Sequence, residues 1–125
     1  MGGIRVYLCD DVAALRLVTR TVLELEPGLE VVGEAGDGRT ALAEVARLKP
    51  DVLVLDLSLP ELDGLEVLEQ LTRVSPGTRV VVFSGYPRDQ LAAAALARGA
   101  RRYVEKGADI DEVARAVREV AAEAA

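Results

Sequence analysis

Hydrophobic positions along the chain follow two alternating rhythms. Short apolar runs occur at Ile4–Cys9, at Val31–Val32 continuing through Gly33 to Ala35, at Val52–Leu57, at Val80–Phe83 and at Tyr103–Val104. Val52-Leu53-Val54-Leu55 and Val80-Val81-Val82-Phe83 show no polar alternation, the pattern of strands covered on both faces. Between the runs the period becomes helical. Leu15, Val18, Val22 and Leu25 recur at spacings of 3, 4 and 3 and define one face of a first helix, ended by Pro27-Gly28. A second helix from Gly38 to Lys49 carries Leu42, Val45 and Leu48, with Pro50 closing it. A third, Gly64 to Ser75, carries Leu65, Leu68 and Leu71 ahead of Pro76-Gly77. A fourth, Arg88 to Arg98, is alanine-rich, with Gly99 as its stop, and has little bulk with which to anchor itself. A fifth, Asp109 to Ala124, carries Ile110, Val113, Val117 and Val120.

Strict βα alternation predicts an α/β, doubly wound parallel sheet of five strands with five helices on its two faces. The 125 residues fit one domain, 1–125, large enough to bury a core without a metal or disulfide staple. No apolar run approaches the roughly 20 residues of a membrane span. The N-terminal run is short and ends in two aspartates, unlike a signal peptide. Met1-Gly2-Gly3 opens like a myristoylation signal, but Val6 stands where Ser or Thr is required. With the lone Cys9 in an apolar run, a cytoplasmic protein with a buried thiol is expected. There is no histidine, which excludes a Ser–His–Asp triad, a His–Cys zinc site and a histidine-borne phosphate. A net charge of −6 argues against direct binding to the DNA backbone.

Ligands of open parallel sheets bind at the carboxyl ends of the strands. Asp10 and Asp11 follow the first strand, Asp56 ends the third, Ser84 ends the fourth, and Lys106 follows the fifth; Glu34 and Ala35 end the second. Each has a plain alternative. Asp11 could be a helix N-cap, Asp56 could cap the turn Ser58-Leu59-Pro60, Ser84 could be a turn residue, and Lys106 could be a solvated charge. Together they form a set. Carboxylates brought to one edge repel unless a cation sits among them, and an oxygen-only set suits Mg²⁺. A lysine and a small hydroxyl beside them can hold phosphoryl oxygens. Such a site fits phosphoryl chemistry on a carboxylate.

The segment Pro50-Asp51-Val52-Leu53-Val54-Leu55-Asp56-Leu57-Ser58-Leu59-Pro60-Glu61-Leu62-Asp63-Gly64-Leu65-Glu66, with Cys9-Asp10-Asp11, Phe83-Ser84-Gly85 and Tyr103-Val104-Glu105-Lys106 around it in order, resembles the receiver domain of two-component response regulators. Val31-Val32-Gly33-Glu34-Ala35-Gly36-Asp37-Gly38 resembles the NarL/FixJ-type subgroup, whose members usually carry a DNA-binding helix-turn-helix domain after the receiver. The resemblance implies a flavodoxin-like sheet of order 2-1-3-4-5. It implies that Asp56 accepts a phosphoryl group from a sensor histidine kinase, and that Asp11, Asp56 and the Ser58 main-chain carbonyl bind Mg²⁺, with Asp10 acting through water. Lys106 would pair with the phosphoryl group, Ser84 would swing to it, and Tyr103 would turn inward, coupling the site to the surface of helix four, strand five and helix five. Homodimerisation on phosphorylation would follow, and contact with DNA only through an output domain. The chain stops as its fifth helix ends, so it is expected to be either a stand-alone receiver or, the favoured choice, part of a longer regulator of transcription. Two positions depart from the family pattern: Gly107 replaces the proline that often follows the lysine, and the switch hydroxyl is Ser84 rather than Thr.

Two other functions compete. A phosphatase of the dehalogenase superfamily would also use Asp56 as nucleophile, but it wants an aspartate where Ser58 stands and a cap domain for which there is no length. A degenerate receiver would act as a constitutive interaction module, which the complete set of acids, hydroxyl and lysine argues against. Arg101-Arg102 is expected to be a solvated edge, and Tyr86-Pro87 to set a loop.

Overall fold

In this computed structural model residues 3–123 are described, and all ten expected elements are present. The order is β1 (Ile4–Cys9), α1 (Ala13–Leu25), β2 (Leu29–Ala35), α2 (Gly38–Leu48), β3 (Val52–Leu55), α3 (Gly64–Val74), β4 (Arg79–Ser84), α4 (Arg88–Ala97), β5 (Arg102–Glu105) and α5 (Asp111–Ala122). The strands form one parallel sheet of order β2-β1-β3-β4-β5. Strand β3 is two residues shorter than the apolar run suggested, because the chain turns at Asp56. Helix α5 starts two residues later than expected, after Ile110. Ala124, the expected end of that helix, and Met1-Gly2 lie outside the described residues.

The unbroken apolar strands are explained by burial on both faces. Successive side chains of β1 alternate: Tyr7 and Cys9 enter one core layer, Val6 and Leu8 the other. Leu53 and Leu55 of β3 join the first layer, with Val45, Val67, Leu68 and Leu71 from α2 and α3. Val52 and Val54 join the second, with Leu23 of α1 and Val113, Val117 and Val120 of α5. The fourth helix buries only Ala92 and Ala95, in keeping with its small side chains.

Helix α1 differs from its expected orientation. Leu15 and Val22 are half-buried as anticipated, but Val18 is 49% and Leu25 78% exposed, and the fully buried positions are Thr19 and Leu23. The buried face comprises Leu15, Thr19, Val22 and Leu23, so spacing found two of its members and added two exposed flanking positions. Thr19 escaped notice because it is polar, yet it is buried and lines the same small cavity as Leu8 and Cys9 of β1.

Two backbone features position the site. Asp37 caps α2, its carboxylate accepting from Thr40 N at 2.8 Å. Gly64 starts α3 where a Cβ would lie 2.4 Å from the Leu57 backbone, so only glycine admits this approach of the helix to the end of β3.

Candidate functional site

Parallel register brings the strand ends together. Cys9 lies beside Ala35 and Leu55, Leu55 beside Val82, and Ser84 beside Glu105. The next residues therefore emerge at one edge, and Asp56 N donates to Cys9 O at 2.9 Å. Asp10 and Asp56 are buried, while Asp11 is exposed. One carboxylate oxygen from each of the three can be chosen so that all lie within 4.8 Å of one another. Lys106 Nζ reaches Asp10 Oδ2 at 2.9 Å and Asp56 Oδ2 at 3.1 Å. Lys106 is thus an internal counterion and not a solvated charge.

The plain alternatives sort themselves by residue. Asp11 does not cap α1; Val12 is the N-cap residue without a side-chain bond, and Asp10 Oδ1 accepts from Val12 N at 2.9 Å. Asp56 does hold the following turn, its Oδ1 accepting from Ser58 N at 3.0 Å, while its other oxygen faces Lys106. Ser84 likewise holds a turn, its Oγ accepting from Tyr86 N at 3.1 Å. In each case one side chain serves both turn and edge.

Electrostatics follow from this crowding. Burial raises the Asp56 carboxyl above its ordinary range and Asp10 adds to the rise, while the Ser58 N–H and Lys106 oppose it. For Lys106, burial lowers the ammonium pKa, but hydrogen bonds and charges from Asp10 and Asp56 outweigh it, and the net shift is upward. The Cys9 thiol is pushed up to about 12, by burial first and then by the Asp56, Asp37 and Asp10 carboxylates. It is 1% exposed and donates to Asp37 O, a structural thiol.

The ring of Tyr103 already lies inward, 3% exposed, with its hydroxyl donating to Tyr86 O at 2.7 Å. The resemblance had placed this inward turn after phosphorylation; here the Tyr86 carbonyl and Arg88 hold the ring. Arg88 donates to Tyr103 O, and its guanidinium lies 5.9 Å from the ring centroid. Tyr86 thus links Ser84 through its N–H to Tyr103 through its C=O. Arg101 and Arg102 are more than a solvated edge, being paired with Glu123, and Arg102 with Glu119 as well.

Sequence reasoning missed Arg16 and Arg88 as parts of the site's surroundings and named Glu34 only as the end of the second strand. Arg16 and Arg20 are one helical turn apart on α1, and both meet Glu34 at the end of the neighbouring strand. That i, i+4 cation pair beside a strand-end acid was the available signal.

The donor set suits a hard divalent cation: oxygens only, two of the three carboxylates buried, and one lysine to balance part of the charge. The fold and this edge define a receiver-type phosphosignalling domain. Residues 6–118 match the family model described as "Response regulator receiver domain", and the chain belongs to that family, a module of two-component systems. It is 52% identical over 107 residues, 85% of this chain and 31% of the other, to protein-glutamate methylesterase/protein-glutamine glutaminase 5 of Myxococcus xanthus. It is 38% identical over 119 residues, 95% of this chain and 55% of the other, to the DNA-binding transcriptional activator DevR/DosR of Mycobacterium tuberculosis. Among solved structures, the response regulator domain of Thermotoga maritima CheB superposes with a TM-score of 0.90 at 28% identity, covering 98% of this chain and 99% of that one. The chain therefore spans about a third of the methylesterase and about half of the activator. Proteins named NarL, CheB and CheY all occur among the matches, so the NarL/FixJ expectation is met only in part.

Proposed function

We propose that residues 1–125 act as one receiver domain in which Asp56 accepts a phosphoryl group from the phosphohistidine of a sensor kinase. One observation carries this reading: the Asp56 carboxylate sits buried at the sheet edge, grouped with Asp10 and Asp11 and paired with Lys106. A carboxylate oxygen of Asp56 forms the new O–P bond, the P–N bond of the donor breaks, and the leaving imidazole keeps the electron pair and takes a proton. Little covalent help is needed, so positioning and charge do the work. Lys106 follows the charge from the carboxylate pair to the phosphoryl oxygens. Ser84 gives up the Tyr86 N–H and donates its hydroxyl to a phosphoryl oxygen, which loosens the turn that Tyr86 shares with Tyr103. The changed surface of α4, β5 and α5 is what a partner reads.

Asp11, Asp56 and the Ser58 carbonyl would hold Mg²⁺, with Asp10 acting through water. When bound, the ion supplies positive charge against the phosphoryl oxygens. The domain is a signalling module and not a turnover enzyme. It works in the cytoplasm, dimerises with a second copy on phosphorylation, and reaches DNA only through an output domain that regulates transcription. A methylesterase-type output is the second reading, favoured by the Myxococcus relative at 52% identity.

Incubation with beryllofluoride, with and without Mg²⁺, tests the reading by ¹⁹F NMR. A bound, Mg²⁺-dependent fluoride signal that Asp56→Asn abolishes is expected. No such signal in the wild type, or turnover of phosphate esters, contradicts it.

A further inference from the structure

The β1–α1 corner that carries the two acids is held from outside the site. Strand β1 ends at Cys9, so the Asp10 peptide has left the regular ladder. Its N–H donates to Ala35 O at 3.1 Å. Its carbonyl accepts from Arg16 Nη1 at 2.5 Å. Arg16 is in turn fixed at its other side, where Nε donates to Glu34 Oε1 at 3.0 Å. The second oxygen of Glu34 takes Arg20 Nη1 at 2.7 Å. The guanidinium passes over bare backbone, since a Cβ on Gly36 would lie 3.1 Å from Arg16 Nη1. The Arg16 side chain is 19% exposed, a low value for a charge on a helix that faces solvent along its other side.

We propose that Arg16 is a positioning residue for the divalent-ion site: braced by Glu34, it fixes the peptide from which the Asp10 and Asp11 carboxylates project. The inference rests on the acid cluster being a divalent-cation site. The planar fork suits this task, because one guanidinium holds a carbonyl and a carboxylate at once in fixed directions, whereas an ammonium is a single point charge. Groups that orient ligands from behind typically change metal affinity by about 10- to 100-fold when removed.

Electrostatics alone point the other way, and that makes the idea decidable. A fixed positive charge near a cation site repels the cation, so deleting Arg16 would tighten Mg²⁺ binding if charge were all that mattered. Loss of positioning weakens it. Arg20 is the internal control: it carries the same charge and holds the same Glu34, but no bond from it to the Asp10 peptide is present. A staple that merely fastens α1 to β2 would make the two arginines equivalent.

The experiment is a calorimetric titration of the chain with Mg²⁺, followed in parallel by the backbone amide shifts of Asp10 and Asp11. Thermal midpoints in EDTA record the purely structural contribution. Arg16→Ala is expected to raise the Kd for Mg²⁺ about tenfold, while Arg20→Ala leaves it unchanged or lower, whatever either does to the midpoint. Arg16→Lys keeps the charge, so any weakening it shows is positional; a Kd between wild type and Arg16→Ala is expected. It also carries the test if the alanine variant does not fold. Wild-type affinity in Arg16→Lys, or in a folded Arg16→Ala, overturns the proposal, as does equal weakening by Arg20→Ala. No saturable Mg²⁺ binding by the wild type overturns the divalent-site reading itself.

Discussion

Asp56 is kept where a carboxylate is uncomfortable. Burial and the neighbouring Asp10 raise its pKa above that of the unfolded chain. A carboxyl raised on folding contributes stability at low pH that is lost as pH rises through the folded value, so at neutral pH the charged form weighs against the fold. Asp56→Asn is therefore expected to raise the thermal midpoint in EDTA at pH 7 by a few degrees, roughly 1 kcal/mol; a lowered midpoint contradicts this balance of burial over the Lys106 pair. Tyr103→Phe removes the bond to the Tyr86 carbonyl and should cost about 1 kcal/mol in urea denaturation. The acids, Ser84 and Lys106 were legible in sequence because strand ends announce themselves by a polar residue after an apolar run. Arg88 was not, because its role depends on which way a long side chain leans, and Arg16 left only the i, i+4 spacing with Arg20 as a trace, which does not say which backbone carbonyl the guanidinium reaches.

Among the elements, α1 shows how periodicity can be right about a helix and wrong about its face. Leu15-Val18-Val22-Leu25 is a genuine stripe, but Thr19 and Leu23 are what the core receives. Leu15 and Val22 belong to the buried face, but its centre falls on the polar Thr19 and on Leu23, and the contact with the sheet that sets this rotation is absent from a one-dimensional pattern. Leu23→Ala is expected to cost about 2–5 kcal/mol, whereas Leu25→Ala should stay within about 0.5 kcal/mol of wild type. Chemical denaturation of the pair decides it; equal losses would restore the face that spacing suggested. Strands β3 and β4 were legible to within a few residues because burial on both faces writes an unbroken apolar run, whereas β2 and β5 at the sheet's edges showed only a shorter apolar core. Strand β3 stops short of its run because Asp56 must bend the chain, and its bond with Ser58 N is the bend.

At the scale of the whole molecule, fold and site are coupled through charge. Three carboxylates at one edge of an acidic domain are balanced by one lysine, so a divalent cation that enters should stabilise the native state by mass action. Mg²⁺ at about 100 times its Kd should add about 2.7 kcal/mol, seen as a raised thermal midpoint, and Asp11→Ala should abolish most of that rise. Away from the site, Glu34 is held below the usual carboxylate range, first by its hydrogen bond to Arg20 and then by Arg16. Its contribution is present above the ordinary carboxylate pKa and is lost as pH falls, so Glu34→Gln should flatten the acid side of the stability profile. The βα order and the sheet edge could be read from the chain, whereas the output that this domain serves could not, because the residues of the site are the same whatever partner reads it. The central claim is tested most directly by intact-mass analysis after incubation with acetyl phosphate and Mg²⁺. The account predicts a single added phosphoryl group, mapped to Asp56, absent with EDTA and absent in Asp56→Asn; an unmodified wild-type chain, or an adduct that persists in Asp56→Asn, would contradict it.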